Sequence, residues 1–306
     1  MSAARSDIAP GARGDDSPVD PPAGAAREAV TRALTEDLGP LGDITAALVP
    51  ADVHGAVAVV ARSTGVVAGR LCALEAFAQV DPAVRVQWHL SDGSAVKPGS
   101  VVAEVEGPLR SLLTAERTAL NFLCHLSGVA TLTRRFVDAV TAANPACRIL
   151  DTRKTTPGLR ALEKAAVRAG GGHNHRATLS DAVLVKDNHL GGLTIADAVH
   201  RARDRWPGRM VEVECDRAAQ LDQALEAGAT VVMLDNMTPD EVAACVATVR
   251  AHNARSSGGG VLVEVSGGLT LDTAPAYAAA GADLLSVGAL THSAPVLDLG
   301  LDLKER

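Results

Sequence analysis

The sequence predicts an α/β protein, an α/β barrel of six strands preceded by a smaller α+β domain, and three observations carry that reading. From residue 147 onward, short apolar runs alternate with segments of helical period, which specifies a parallel sheet. Each of the six predicted strands ends in a group suited to a ligand: Asp151/Arg153/Lys154, Lys186, Glu214, Asp235, Ser266-Gly267-Gly268 and Gly288. A barrel spreads such groups around one rim, whereas an open sheet would concentrate them at its switch point. The third observation is the period-two pattern between Gly55 and Gly107, which belongs to antiparallel strands exposed on one face.

Taken in order, residues 1–23 are rich in Ala, Gly, Pro, Ser and Asp without periodicity, and are expected to be a disordered extension. A helix follows, with Ala26, Val30, Ala33, Leu34 and Leu38 on one face and Gly39-Pro40 to stop it. The stretch EDLGPLGDIT reads as a connecting loop. Val57 to Val60, and Val84, Val86, Trp88 and Leu90, form strands with a short helix from Leu71 to Val80 between them. The run SDGSAVKPGSVVAEVEG resembles the hammerhead turn of biotinyl and lipoyl carriers, but no lysine sits at a hairpin tip, so it reads as scaffold. These segments make residues 24–112 an α+β domain. A long helix over 112–143 carries Leu113, Leu120, Leu123, Leu126, Leu132 and Phe136, with Gly128 as a bend or break, inside a linking segment 113–145. Spacing alone makes Arg117 a solvated residue of that helix.

The barrel region, 146–290, opens with a strand ending at Leu150, a helix containing Leu159, Leu162, Ala166 and Ala169 that stops at Gly170-Gly171-Gly172, and a strand Ala182–Val185, read together as a βαβ unit. Strands Met210–Glu214, Val231–Asp235, Val261–Ser266 and Leu284–Gly288 continue it, with helices Ala218–Ala227 and Pro239–Ala251 between them.

Length and composition bound what such a chain does. Its 306 residues suit one large and one small domain, and 47 % hydrophobic content supplies a substantial core. A net charge of −7 argues against a nucleic-acid partner. Five cysteines, Cys72, Cys124, Cys147, Cys215 and Cys245, lie in apolar runs without a CxxC pair, which fits reduced core thiols and a cytoplasmic protein. No apolar stretch reaches the length of a membrane span and the first residues lack a signal-peptide pattern, so no membrane partner is expected.

The basic groups are instead concentrated locally: Arg153, Lys154, His173, His175, Arg176 and Lys186 fall within about forty residues, at the ends of buried strands. A pocket of this kind holds a small polyanion. At the last two strands, Ser266-Gly267-Gly268 and Gly288 let backbone N–H groups converge on a phosphate, with ordinary turn glycines as the competing reading. Glu214 and Asp235, between cations and glycines, would face a sugar or a magnesium ion, or pair with a neighbouring lysine or arginine.

The motifs AERTALNFLCHLSG, DTRKTTPGLR, GGGHNHR, LSDAVLVKDNH, VEVE, MLDNM, VSGG and SVGALTHS, in this order, resemble those of the quinolinate phosphoribosyltransferases, also called carboxylating nicotinate-nucleotide pyrophosphorylases. The likeness runs from about residue 26 to the C-terminus. It implies an incomplete (six-stranded) α/β barrel beside a smaller N-terminal α+β sandwich domain, with residues 291–306 returning toward the latter. It also implies a homodimer, or a higher oligomer of dimers, with shared sites. The implied reaction converts quinolinate and phosphoribosyl pyrophosphate to nicotinate mononucleotide, pyrophosphate and CO2 with Mg2+ (NAD biosynthesis). Carried over by motif position, Arg153, His175, Arg176 and Lys186 would surround the two quinolinate carboxylates, with Arg117 entering from the partner subunit. Lys154 would meet the pyrophosphate. Glu214 and Asp235, with Lys154 the implied catalytic residues, would hold the ribose hydroxyls and a water-bridged Mg2+. Ser266, Gly267, Gly268, Gly288 and His292 would cradle the 5′-phosphate.

The residue types suit that chemistry independently, because a dicarboxylate and a polyphosphate brought together need a pocket dense in Arg and Lys. Nearby carboxylates stabilise an oxocarbenium-like centre while cations draw off the leaving group. Three alternatives stay open at this level: a Schiff-base aldolase barrel using Lys186, a related phosphoribosyltransferase with a different ring substrate, and a non-catalytic module whose hammerhead-like segment binds a partner.

Overall fold

The computed structural model of the chain describes residues 19–255 and 260–303; the disorder expected for residues 1–18 falls outside them. In the first half lie α1 (Ala23–Leu38), β1 (His54–Ala61), β2 (Gly65–Val66), α2 (Arg70–Val80), β3 (Arg85–Trp88), β4 (Ala95–Val96), β5 (Val101–Pro108) and α3 (Leu109–Ala143). Next come β6 (Arg148–Leu150), α4 (Arg160–Ala169), β7 (Val183–Val185), α5 (Asp187–Leu190), α6 (Ile195–Arg205), β8 (Val211–Cys215) and α7 (Ala218–Glu226). The last are β9 (Val231–Asp235), α8 (Pro239–Arg255), β10 (Leu262–Ser266), α9 (Ala274–Ala279), β11 (Leu284–Ser286), α10 (Ala289–His292) and β12 (Leu299–Leu303). The chain divides into two compact units, one of Met1–Leu132, Thr156–Gly171 and Ala294–Arg306, the other of Thr133–Thr155 and Gly172–Ser293.

The first unit is built on an antiparallel sheet ordered β12-β1-β5-β3, with β2 and β4 as a separate pair. β1 is flanked on both sides, so Val57, Ala58 and Val59 are all buried, more completely than their alternating pattern suggests. The edge strand β3 keeps the alternation, with Arg85 and Gln87 exposed between half-buried Val86 and Trp88. Within the hammerhead-like run, Asp92 is the informative residue. Its carboxylate accepts from the backbone N–H of Gly69 and Arg70 at the start of α2, at 3.0 and 3.3 Å, so the cap comes from twenty-odd residues away. Burial pushes that carboxyl up to about 6, against these hydrogen bonds, which lower it.

Four sequence expectations are corrected by the fold, three of them at this point. Disorder does not extend to residue 23, because the carbonyls of Val19 and Asp20 accept from the Arg168 guanidinium and α1 begins at Ala23. The 112–143 helix is not broken at Gly128: α3 runs unbroken from Leu109 to Ala143. What the glycine answers is close approach, since a Cβ there would overlap the carbonyl of Pro295, in the segment leading to β12. The contiguous 146–290 domain is interrupted, because 156–171 groups with the first unit, where the wholly buried Glu163 of α4 binds His125 of α3 at 2.8 Å.

The second unit is a six-stranded parallel sheet ordered β6-β11-β10-β9-β8-β7, with Glu214↔Met233, Glu264↔Met233 and Leu284↔Arg148 in register. β9 shows why such strands form. Val231, Val232, Met233 and Leu234 are all buried, as both faces of a parallel sheet require, and polarity returns only at Asp235. β6 and β7 lie at opposite ends of the order and do not pair with each other, so the barrel is incomplete. That corrects the βαβ unit expected between them. After α4 the chain comes back to β6 itself: His173 bridges Leu150 in parallel and donates its N–H to the Ile149 carbonyl at 2.8 Å.

Candidate active site

In the second unit, the carboxyl ends of the strands and the loops after them carry the polar groups. Asp151, ending β6 and fully buried, accepts from the backbone N–H of His175 at 2.9 Å and from the Asn174 amide. This fixes the 173–176 loop against the strand. Arg176 follows, its Nη1 donating to the Ala182 carbonyl at 3.2 Å. Burial, and after it the nearby positive charge of Arg153, lower the pKa of Arg176, while the charge of Glu212 raises it. An anionic ligand placed by both guanidiniums would offset this mutual effect.

His175 departs from the carboxylate shell expected of it: it points inward, with both ring nitrogens engaged. Its Nδ1 accepts from the Arg176 backbone N–H at 2.9 Å, so the neutral ring carries its proton on Nε2, which lies 3.0 Å from Glu212 and 3.5 Å from Glu264. Ser286 of β11 donates to the same Glu264 oxygen. Burial, then the charge of Glu212, push the Glu264 carboxyl up to about 8, although His175 and Ser286 pull it down. The three donor atoms of His175, Glu212 and Glu264 lie within 4.8 Å of one another. With an N–H already aimed into the gap, that space suits a shared proton better than a cation.

Glu214 ends β8 and its carboxylate is ion-paired with Nζ of Lys186, at the end of β7. Asp235, at the end of β9, accepts from the Asn236 amide at 2.6 Å. Asn236 is the one non-glycine residue with positive φ among those described, at 57°, and its N–H donates to the Ser266 carbonyl at 3.2 Å. A Cβ on Gly267, at φ 97°, would collide with that asparagine, so glycine is required by space and by backbone. Gly268 follows at φ 59°. After the neighbouring β11, a Cβ on Gly288 would sit 3.1 Å from the Lys154 side chain and 3.2 Å from His292, which places these three together. Thr291 holds the Lys154 backbone by donating to its carbonyl at 2.8 Å.

The structure thus gathers Arg153 with Arg176, Lys186 with Glu214, Asp235 with Ser266 and Gly267, and Lys154 with Gly288 and His292. Arg117 belongs to the other unit, exposed on α3. Sequence reasoning missed Glu212, Glu264 and Ser286. The signal was present in VEVEC and LVEVS, where glutamate occupies strands that must be buried on both faces.

Cations, carboxylates and tight glycine turns along the carboxyl ends of a parallel barrel define an enzyme of the class that handles phosphate and carboxylate substrates. Family models place the chain within that class. The "Quinolinate phosphoribosyl transferase, N-terminal domain" model matches residues 43–127 and the C-terminal domain model matches residues 129–302. A Mycobacterium leprae protein named nicotinate-nucleotide pyrophosphorylase [carboxylating] is 45 % identical over 91 % of this chain and 97 % of its own length. A Bacillus subtilis protein named a probable member of the same activity is 42 % identical over 88 % and 90 %. The solved nicotinate-nucleotide pyrophosphorylase from Francisella tularensis superposes with a TM-score of 0.87 at 37 % identity, covering 95 % of this chain and all of that one. The chain belongs to the quinolinate phosphoribosyltransferase family.

Proposed function

We infer that the protein is a decarboxylating quinolinate phosphoribosyltransferase of NAD biosynthesis. It joins the ring nitrogen of quinolinate to C1 of phosphoribosyl pyrophosphate, giving nicotinate mononucleotide, pyrophosphate and CO2. The observation that carries this is the ordered match of both family domains over residues 43–127 and 129–302, with candidate ligand groups at every strand end.

Arg153, Arg176 and Lys186 face the two carboxylates of quinolinate, with His175 holding Arg176 from beneath. Lys154 meets the pyrophosphate, and Ser266, Gly267, Gly268, Gly288 and His292 receive the 5′-phosphate, a reading supported by the convergence at Gly288. Glu214 and Asp235 take the ribose hydroxyls and stabilise the cationic sugar centre. As oxygen donors on neighbouring strands they also fit a hard divalent ion. Mg2+ held there through water would neutralise charge on the departing pyrophosphate. Loss of CO2 needs the 2-carboxylate held while the ring nitrogen becomes positive, so that the ring accepts the electron pair.

The Schiff-base reading of Lys186 is not favoured: its Nζ is engaged by the Glu214 carboxylate, and the family relationship points elsewhere. A homodimer in which Arg117 enters the partner's site is supported by the exposure of Arg117 and of apolar Leu41, Ile44 and Leu48 in the first unit. No helix among the described residues is long and apolar enough to cross a membrane, and all five cysteines are free thiols; a cytoplasmic location suits the latter.

Incubation with phosphoribosyl pyrophosphate, Mg2+ and either quinolinate or nicotinate tests the assignment. Mononucleotide and CO2 are expected from quinolinate, with nicotinate rejected by roughly 10⁴-fold because it leaves donors unpaired. Comparable turnover of nicotinate refutes it.

A further inference from the structure

Beneath the arginines lies a chain of groups for which the reaction has no direct use: Ser286, Glu264, Glu212 and His175. Glu212 and Glu264 are 0 % and 1 % exposed, on inward-facing positions of β8 and β10. Each comes from a different element, so the cluster exists only in the folded barrel. Glu264 receives the Ser286 hydroxyl from β11, faces Glu212 from β8, and lies 3.5 Å from His175 Nε2 on the 173–176 loop. β9 presents Met233 in register with it. One alternation nearer the strand ends stand Glu214, paired with Lys186, and Asp235, paired with Asn236. Arg176, with Arg153 near it, feels the charge of buried Glu212 and that of exposed Asp181.

Two carboxyls can hydrogen-bond each other only if one keeps its proton, and Glu212 Oε1 is a buried oxygen with no other donor. His175 cannot supply a second positive charge without losing the bond its Nδ1 accepts from Arg176 N. The two carboxyls therefore share one proton and carry one negative charge, beside a neutral His175.

We propose that Glu264 is a positioning residue for the dicarboxylate subsite: it must remain protonated for the dianion to bind, because its ionisation would set a second buried negative charge behind Arg176. This deepens the quinolinate assignment and rests on it. The elevated Glu264 carboxyl puts the transition on the alkaline side of neutrality, so binding weakens as pH rises through about 8. Glutamine at this position keeps a neutral donor and acceptor but cannot ionise.

The test is the pH profile of KM for quinolinate in the Mg2+-loaded wild-type enzyme and in Glu264→Gln, at saturating phosphoribosyl pyrophosphate. The wild-type KM should rise about tenfold between pH 7 and pH 9, and the ratio of the two values should fall to about one in Glu264→Gln. An equal alkaline rise in both proteins overturns the proposal. A second measurement does not need the variant. Calorimetric titration of the wild type with quinolinate at pH 8.5, in two buffers of different ionisation enthalpy, should show proton uptake on binding, and none at pH 6. Absence of uptake at pH 8.5 overturns the proposal too. Failure of the quinolinate assignment itself is distinguishable, since no turnover or heat would then appear at any pH.

Discussion

Gly128→Ala isolates a contact that no local pattern reveals. The added Cβ would overlap the Pro295 carbonyl oxygen and lie 3.0 Å from the Pro295 carbonyl carbon and from Val296 Cα, all backbone atoms that no rotamer change can remove. Moving the 294–299 segment aside would strain the bond from Leu297 N to the Cys124 carbonyl at 2.9 Å, and the pairing of Leu299 with Ala61. Overpacking of this kind costs about 1–3 kcal/mol and a lost buried hydrogen bond about 1 kcal/mol more, so a loss on the order of 3 kcal/mol is expected. Trp88 lies in the first unit and Trp206 in the second, so urea titrations in a Trp206→Phe background read the first unit alone by fluorescence. Gly24→Ala, in α1 with nothing within 4 Å of the new methyl, serves as the control and should be neutral or stabilising by up to about 1 kcal/mol. A Gly128→Ala loss below about 1 kcal/mol would show that the C-terminal segment yields freely, and the close-approach argument would be wrong.

Glu264 also links stability to pH. Its carboxyl is raised in the fold from 4.5 to about 8, so the stabilisation from its bound proton is fully present below 4.5 and is lost as pH climbs toward 8. The stability difference between wild type and Glu264→Gln, from urea midpoints between pH 5 and 9, should fall by roughly 1 kcal/mol per pH unit and flatten above 8; parallel curves would contradict it. Asp92→Ala removes the cap of α2 and should cost about 1–2 kcal/mol by the same titration, while Asp92→Asn, which keeps an acceptor, should recover most of it. If Arg117 serves the partner's site, Arg117→Ala and Lys154→Ala chains should each be nearly inactive alone. After subunit exchange they should regain roughly a quarter of wild-type activity through mixed dimers; exchange confirmed by mass without recovery would place Arg117 in its own chain's site.

The alternation of strand and helix was legible because each strand of a parallel sheet must be apolar through its length, and β8 to β11 emerge within two residues of where their patterns put them. Polar groups at strand ends were legible for the same reason, since a run such as Val231 to Leu234 ends abruptly at Asp235. Partners across the sheet were not. That Lys186 meets Glu214, or that Lys154 lies against Gly288, depends on register between segments far apart in sequence, which no local period encodes. Gly128 misled because helix propensity describes the backbone of one element, whereas its need for glycine comes from a segment about 170 residues later. Helix α4 misled similarly: its apolar positions announce burial, but nothing in them says which unit does the burying.

Glu212 and Glu264 show where local rules fail for a functional reason. Read singly, each is a charged residue at an alternating strand position, the signature of a face turned to water. Both are instead buried, and filling those positions with apolar side chains would commonly be neutral or stabilising, because desolvating a carboxylate costs more than most partners return. Their presence makes sense from the rim above. The positive charge of Arg153 disfavours that of Arg176, while the charges of Glu212 and Asp181 favour it. Glu212 behind Arg176, together with Asp181 at the surface, offsets part of that repulsion. A further buried charge from Glu264 would offset more of it and weaken the hold on a dianion. The shared proton therefore limits the buried negative charge, and His175, in the loop that Asp151 fixes to β6 and reaching the carboxyls by Nε2, connects that charge to Arg176.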